Sequence, residues 1–112
     1  MVNLISIEDF MQVDLRIGTI IEAEDFVEAR DPAIKLKIDF GDLGIKQSSA
    51  KITDYYLPDD LIGTQVTAVV NFPPMRIAGY KSEVLVLGAV PEDEKVVLLK
   101  PDKKVPNGTR IS

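Results

Sequence analysis

Positively charged side chains recur through the middle of the sequence, where they could bind an anionic ligand. Residues 33–91 contain six bases: Lys35, Lys37, Lys46, Lys51, Arg76 and Lys81. Clustered lysine and arginine are what phosphate binding requires. Lysines at alternating strand positions are also common as solvated residues that protect sheet edges from aggregation. The spacing alone leaves both interpretations open.

Catalysis has few candidate residues in this chain. There is no cysteine and no histidine, which excludes disulfides, thiolate nucleophiles, Cys/His zinc sites and Ser-His pairs. The sequence shows no nucleophile-base pair and no phosphate-cradling glycine motif. The acidic groups at 59–60 and 92–94 lack the ligand spacing of a calcium or magnesium loop. We therefore predict a protein that is not an enzyme and holds no metal or cofactor.

One segment, NFPPMRIAGYKS at residues 71–82, carries Arg76 and Lys81 beside a short apolar ridge. Phe72, Pro74 and Met75 are the candidate peptide-binding residues of this ridge, because proline fixes it before a ligand arrives. The ridge could equally be a core plug. Asn71 and Ser82 offer polar groups for phosphates, sugars or base edges, although both are also ordinary turn residues. We predict that the segment is a rigid binding lip.

Composition bounds the kind of protein that presents this lip. The 112 residues are 46% apolar and 28% charged, which is typical of one soluble domain, here residues 1–112. The net charge is −5, and residues 1–32 hold eight acids and two bases, a balance of −6. The N-terminus MVNLISIEDF lacks a basic n-region, and no apolar run is long enough to span a bilayer. We expect a cytoplasmic protein without membrane insertion.

Alternating apolar residues predict a β-structure. Ser6 and Asp9 predict a short N-terminal helix, and Pro58 and Gly63 indicate a one-turn helix or a tight loop within 55–63. Five main strands are predicted at 13–23, 34–40, 45–52, 65–71 and 83–90, and a late pair at 95–100 and 109–112. Gly18 is expected to supply a bulge or coil. This layout predicts an all-β, five-stranded OB-fold barrel with extra C-terminal strands; a small sandwich is the alternative.

The strand pattern also predicts on which strands the lysines lie. Lys35 and Lys37 alternate with buried residues of the second strand, and Lys46 and Lys51 are expected beside them on the third. OB barrels bind oligonucleotides on the face of these two strands. With Arg76 and Lys81 these residues are the candidate oligonucleotide-contacting cations, predicted to form one patch near the lip.

Three separated segments resemble the tRNA-binding domain family, in its free-standing CsaA-like branch of export-related chaperones. They are DFMQVDLRIGTIIEAEDFVEARDPAIKLKIDFG, IKQSSAKIT and NFPPMRIAGYKSEVLVLG, and the resemblance covers about residues 8–112. The broader family includes the C-terminal domain of methionyl-tRNA synthetase. In its tRNA-binding members the loop typically ends Ser-x-Gly-Met. Here Ser82 is followed by Glu83, Val84 and Leu85, which resembles the CsaA-like branch.

The resemblance implies an OB barrel that forms a homodimer. It further implies binding of unfolded or precursor polypeptides during protein export, with tRNA as an additional ligand. The alternative is a stand-alone, structure-specific tRNA-binding protein, a tRNA chaperone or aminoacylation cofactor. In either case the expected chemistry is recognition, with no bond made or broken.

Overall fold

The computed structural model describes residues 3–112, which form a nearly all-β chain with two short helices. Helix α1 spans Ile7–Met11 and α2 spans Pro58–Leu61; a single 3₁₀ turn lies at Gly41–Leu43. The strands are β1 Leu15–Asp25, β2 Ile34–Asp39, β3 Ile45–Ala50, β4 Gln65–Val69, β5 Met75–Ile77, β6 Tyr80–Ser82, β7 Leu85–Val86, β8 Gly88–Ala89, β9 Val97–Leu98 and β10 Arg110–Ile111. Within residues 3–112 no helix is long and apolar enough to cross a bilayer.

The main sheet follows the order β3-β2-β1-β4-β7, and β10 pairs with β1 beside this path. Every neighbouring pair is antiparallel, so β3 and β7 run parallel where the sheet curls back on itself. The side chains of the inner face form one core, with Ile20, Ile34, Leu36, Ile38, Phe40, Val66 and Ala68 fully or almost fully buried. The predicted five-stranded OB-type barrel is therefore confirmed.

Local sequence signals account for both helices. The Ser6 hydroxyl accepts from the Asp9 N–H and the Asp9 carboxylate accepts from the Ser6 N–H, a reciprocal capping box. Pro58 occupies the first turn of α2, where its missing N–H costs nothing. The predicted N-terminal helix is confirmed, and within 55–63 the chain forms the one-turn helix rather than the tight loop.

Gly18 plays a different part from the predicted bulge, which lies instead between Ile20 and Glu22. A Cβ on Gly18 would stand 2.6 Å from Ile38 Cγ2 and 2.7 Å from a ring carbon of Phe40. This distance is too short for real carbon atoms. The glycine is therefore needed because the core side chains of β2 pack directly against the β1 backbone.

Two further details of the predicted strands were wrong. The run 83–90 is not one strand: β7 pairs with β4 and β8 pairs with β9. The late pair do not pair with each other either, because β9 joins β8 while β10 joins β1. Side chains from β1 and β4 hold the C-terminal segment, since Arg16 donates to the Gly108 carbonyl and Gln65 to that of Val105.

Candidate functional site

The predicted lip is a two-stranded β-hairpin, β5–β6, rather than an irregular loop. Its two turn residues, Ala78 and Gly79, have φ of +47° and +82°, the conformation of the tight turns that match strand twist. The cross-strand pairs give the hairpin two faces. One face carries Arg76 and Lys81; the other carries Met75, Ile77, Tyr80 and Ser82.

Tyr80 attaches the hairpin to the outer face of β2. Its hydroxyl donates to the Leu36 carbonyl at 3.1 Å, and its ring meets Phe26 edge-on with 5.5 Å between centroids. On the neighbouring strand, Gln47 Nε2 donates to the Lys81 carbonyl at 3.0 Å. The hairpin therefore covers part of the β2–β3 face on which OB barrels commonly bind nucleic acid.

Lys35 lies inside this attachment. Its ammonium is 5.1 Å from the Phe26 ring centroid and 5.2 Å from that of Tyr80, within the range of cation–π attraction. The same ammonium is 3.5 Å from a Glu24 carboxylate oxygen and 3.7 Å from one of Glu28. Its charge is thus compensated by neighbours that belong to the protein itself.

The acidic surroundings also act on Tyr80. Burial raises the pKa of Tyr80 above its ordinary value of 10.0, and the nearby carboxylates Glu24, Glu22 and Glu83 raise it further. The phenol consequently stays protonated at neutral pH. It remains a hydrogen-bond donor to the Leu36 carbonyl.

The six candidate cations do not form a single patch. Lys37 pairs with Glu22 at 3.5 Å, and Lys51 pairs with Asp31 at 2.9 Å. Lys46 is the cross-strand partner of Ile38, whose side chain faces the core, so it lies on the opposite face of the sheet from Lys35. The predicted shared face is wrong for Lys46, because the cross-strand partners of Lys35 and Lys37 are Ser49 and Gln47, and neighbouring residues of a strand point to opposite faces.

Arg76 and Lys81 differ from the strand lysines. Both are exposed and stand opposite each other on the outward face of the hairpin. Within residues 3–112 neither forms an ion pair with a carboxylate. Arg76 Nη1 makes only a long hydrogen bond, 3.4 Å, to the Gly79 carbonyl. These two cations are therefore available to a ligand.

An apolar groove of about 540 Å³ runs beneath the hairpin. It brings together all three candidate peptide-binding residues, Phe72, Pro74 and Met75, and the candidate Ser82. Phe72 is 50% exposed and Met75 is 64% exposed, so the ridge is not a core plug. The remaining walls are Pro73, Ile77, Glu83, Val84, Leu85 and Ser49 of β3.

Asn71 has a role within the fold. Its side-chain oxygen accepts from the Asp14 N–H at 2.9 Å, and its side-chain nitrogen donates to the Gln12 carbonyl at 2.7 Å. The amide thus ties the end of β4 to the segment that precedes β1. This contact sets where the proline segment begins.

Sequence reasoning missed several groove residues, namely Ser49, Ile77 and Leu85. Ile77 alternates with Met75 across Arg76, a period-two signal that would have revealed the hairpin and its inner face. Leu85 lies in the predicted strand 83–90 and is 49% exposed. No signal in the sequence shows that Ser49, two strands away from the lip, borders the same groove.

The fold and site together define a small OB-type barrel with a preformed apolar groove walled by a hairpin. The family model "Putative tRNA binding domain" matches residues 15–110, and the chain belongs to this tRNA-binding domain family. The resemblance found in the sequence is thereby confirmed.

Two solved structures are similar to this chain over nearly its whole length. The chaperone CsaA from Bacillus anthracis is 64% identical with a TM-score of 0.94, covering 98% of this chain and 100% of that one. The CsaA chaperone from Picrophilus torridus is 53% identical with a TM-score of 0.90, covering 97% and 100%.

Among curated sequences, methionine–tRNA ligase from Caldanaerobacter subterraneus subsp. tengcongensis is 40% identical over 111 residues. That match covers 99% of this chain but only 17% of the ligase. The chain therefore corresponds to a small part of that enzyme.

Proposed function

We propose that this protein is a cytoplasmic, CsaA-like chaperone that binds unfolded or precursor polypeptides during protein export. The groove beneath the hairpin is the observation that supports the proposal: it exposes Phe72, Pro74 and Met75 side by side in one concave apolar surface. Contiguous exposed apolar surfaces of this kind are typical of sites that bind a partner. The similarity to two CsaA chaperones agrees with this function.

The groove suits a flexible client because its own walls are ordered in advance. Consecutive prolines fix the backbone between β4 and β5, and the hairpin is held by Tyr80 and Gln47. Little entropy is then lost on the protein side when a client binds. Burial of apolar client side chains supplies the driving force.

An aggregation assay tests this function: it measures whether the protein prevents an unfolded client from aggregating. We expect Phe72→Ala and Met75→Ala to lose protection, since each removes apolar contact area from the groove. Ile62→Ala is a matched control, because Ile62 is 52% exposed and does not line the groove. Equal protection by the groove variants and the wild type would show that clients bind elsewhere.

We further propose that the protein is a homodimer. Helix α1 contains no buried residue, and the N-terminal segment exposes Leu4 at 99%, Ile5 at 72% and Ile7 at 66%. A second copy would cover this apolar surface. Sedimentation should give a dimer for the wild type and a monomer for Ile7→Ser; a wild type that sediments as a monomer at micromolar concentration would refute the proposal.

Binding of tRNA is the second candidate function, favoured by the family and by Arg76 and Lys81, which make no ion pair within residues 3–112. Phosphate contacts release counterions, so affinity should fall with salt by roughly 0.7 to 0.9 log units per contact for each log unit of salt. We expect Arg76→Met and Lys81→Met each to reduce this slope. Lys37→Met should change it less, because Glu22 already pairs with Lys37; a salt-independent affinity would exclude this function.

A further inference from the structure

The barrel closes between β3 and β7 through an incomplete seam. The Glu83 N–H donates to the Gln47 carbonyl at 2.8 Å, while the Gln47 N–H donates to the Glu83 side chain at 3.1 Å. One position further, the Ser48 hydroxyl donates to the Val84 carbonyl at 2.7 Å. Side chains thus replace part of the backbone ladder that would join two paired strands.

Ser49 is the next residue of β3 whose backbone faces the seam. The N–H and C=O of Gln47 point away from β2, and groups two residues apart on a strand point the same way. Those of Ser49 must therefore also point away from β2. Within residues 3–112 they make no hydrogen bond to a side chain and none to backbone outside the β2–β3 ladder.

This open strand edge borders the groove, since Ser49 is one of its walls. We propose that a client segment binds in extended form as an added strand, with its backbone hydrogen-bonded to the N–H and C=O of Ser49. Strand addition to an exposed sheet edge gives affinity through the main chain and specificity through alternate side chains. The inference deepens the proposed chaperone function and rests on it.

The walls of the groove fit the side chains of such a strand. Every second side chain of an extended segment points the same way, so one row would enter the groove between Met75 and Leu85. Arg76 and Lys81 lie on the outward face of the hairpin, away from the groove, and have no acidic partner in the described chain. Their charge therefore complements an acidic residue, such as glutamate, only where the bound segment extends beyond the groove. The proposed ligand is therefore an extended peptide in which every second side chain is apolar and the backbone N–H groups carry no methyl group.

A capped peptide of alternating leucine and threonine, ended by glutamate, provides the probe. Two further versions carry N-methyl groups on the amides of every second residue, one version in the leucine positions and the other in the threonine positions. The side chains are unchanged, but each version removes the hydrogen-bond donors along one edge of the strand only. The two versions are matched controls for each other.

We expect one methylated version to bind at least about tenfold more weakly and the other to bind like the parent, because only one edge meets β3. Equal affinity of all three peptides would overturn strand addition while leaving the groove function intact. Failure of all three, including the parent, would count against the groove function itself. The two failures are thus distinguishable.

Amide exchange of the full chain gives an independent measurement. The Ser49 N–H should exchange more slowly when the parent peptide is bound, since it gains an acceptor. The Gln47 N–H serves as the control, because it already donates to Glu83 and should change little. Unchanged exchange at Ser49 under saturating peptide would contradict the proposal.

Discussion

The two sides of the hairpin differ in how completely their polar groups are satisfied. On the β1–β2 side, Lys35 contacts two carboxylates and two aromatic rings, and the Tyr80 hydroxyl donates a hydrogen bond to the Leu36 carbonyl. On the β3–β7 side, Ser48 and Glu83 close only part of the seam. The first side is a finished internal contact, and the second is apolar and open.

This difference shows that a row of lysines is not evidence of an anion-binding face. The lysines of β2 neutralise acids of β1 and of the loop that follows it, and they help to fix the hairpin. Among the six candidate cations, only Lys46, Arg76 and Lys81 have no carboxylate partner within residues 3–112, and of these only the two hairpin cations are exposed. These two cations and the apolar walls of the groove are therefore available to a partner. Each of the following substitutions removes a contact on either the β1–β2 side or the β3–β7 side of the hairpin.

The largest effect is expected at the seam. Ser48 is buried, and Ser48→Ala leaves the Val84 carbonyl without the donor that reaches it at 2.7 Å. We expect a loss of about 1–3 kcal/mol in the free energy of unfolding, measured by urea denaturation. Ser49→Ala is the matched control and should cost less than about 0.5 kcal/mol. If both variants are equally stable, the seam does not depend on this hydroxyl.

A smaller effect is expected on the β1–β2 side of the hairpin. Lys35→Met keeps the length of the side chain but removes the charge that faces both rings and both carboxylates, at a cost of about 1–2 kcal/mol. Lys37→Met loses one partly exposed ion pair with Glu22 and should cost less than about 0.5 kcal/mol. Thermal unfolding of the two variants compares them directly. Equal losses would mean that the aromatic contacts of Lys35 contribute nothing.

Much of the fold was predictable because it depends on local patterns. The strict alternation of 34–40 defines β2, and the Ser6–Asp9 pair defines the start of α1. The residues of the ridge could be grouped because they are neighbours in sequence. Each of these signals lies within a few residues of the structure that it predicts.

The lysine patch was wrong because charge compensation depends on strand register. Glu24 stands opposite Lys35 and Glu22 opposite Lys37 only because a bulge near Ile21 shifts the register of β1 by one residue. The sequence carries no signal for that bulge. The position of Lys46 likewise depends on register, since β3 pairs Lys46 with Ile38. The open edge at Ser49 required knowing which strands meet at the seam.

The smallest effect is the pH dependence of the free energy of unfolding that Tyr80 causes on the β1–β2 side of the hairpin. Its pKa is raised above 10.0 by burial and then by Glu24, Glu22 and Glu83, so the folded state favours the protonated phenol. The resulting stability is present below pH 10.0 and is lost as the pH rises through the raised pKa of the folded state.

Tyr80→Phe removes both this dependence and the hydrogen bond to the Leu36 carbonyl, at a cost of about 0.5–1.5 kcal/mol at neutral pH. The difference between wild type and variant should shrink as the pH is raised above 10.0, measured by urea denaturation at each pH. A difference that stays constant across this range would contradict the assignment. It would mean that folding does not raise the pKa of Tyr80.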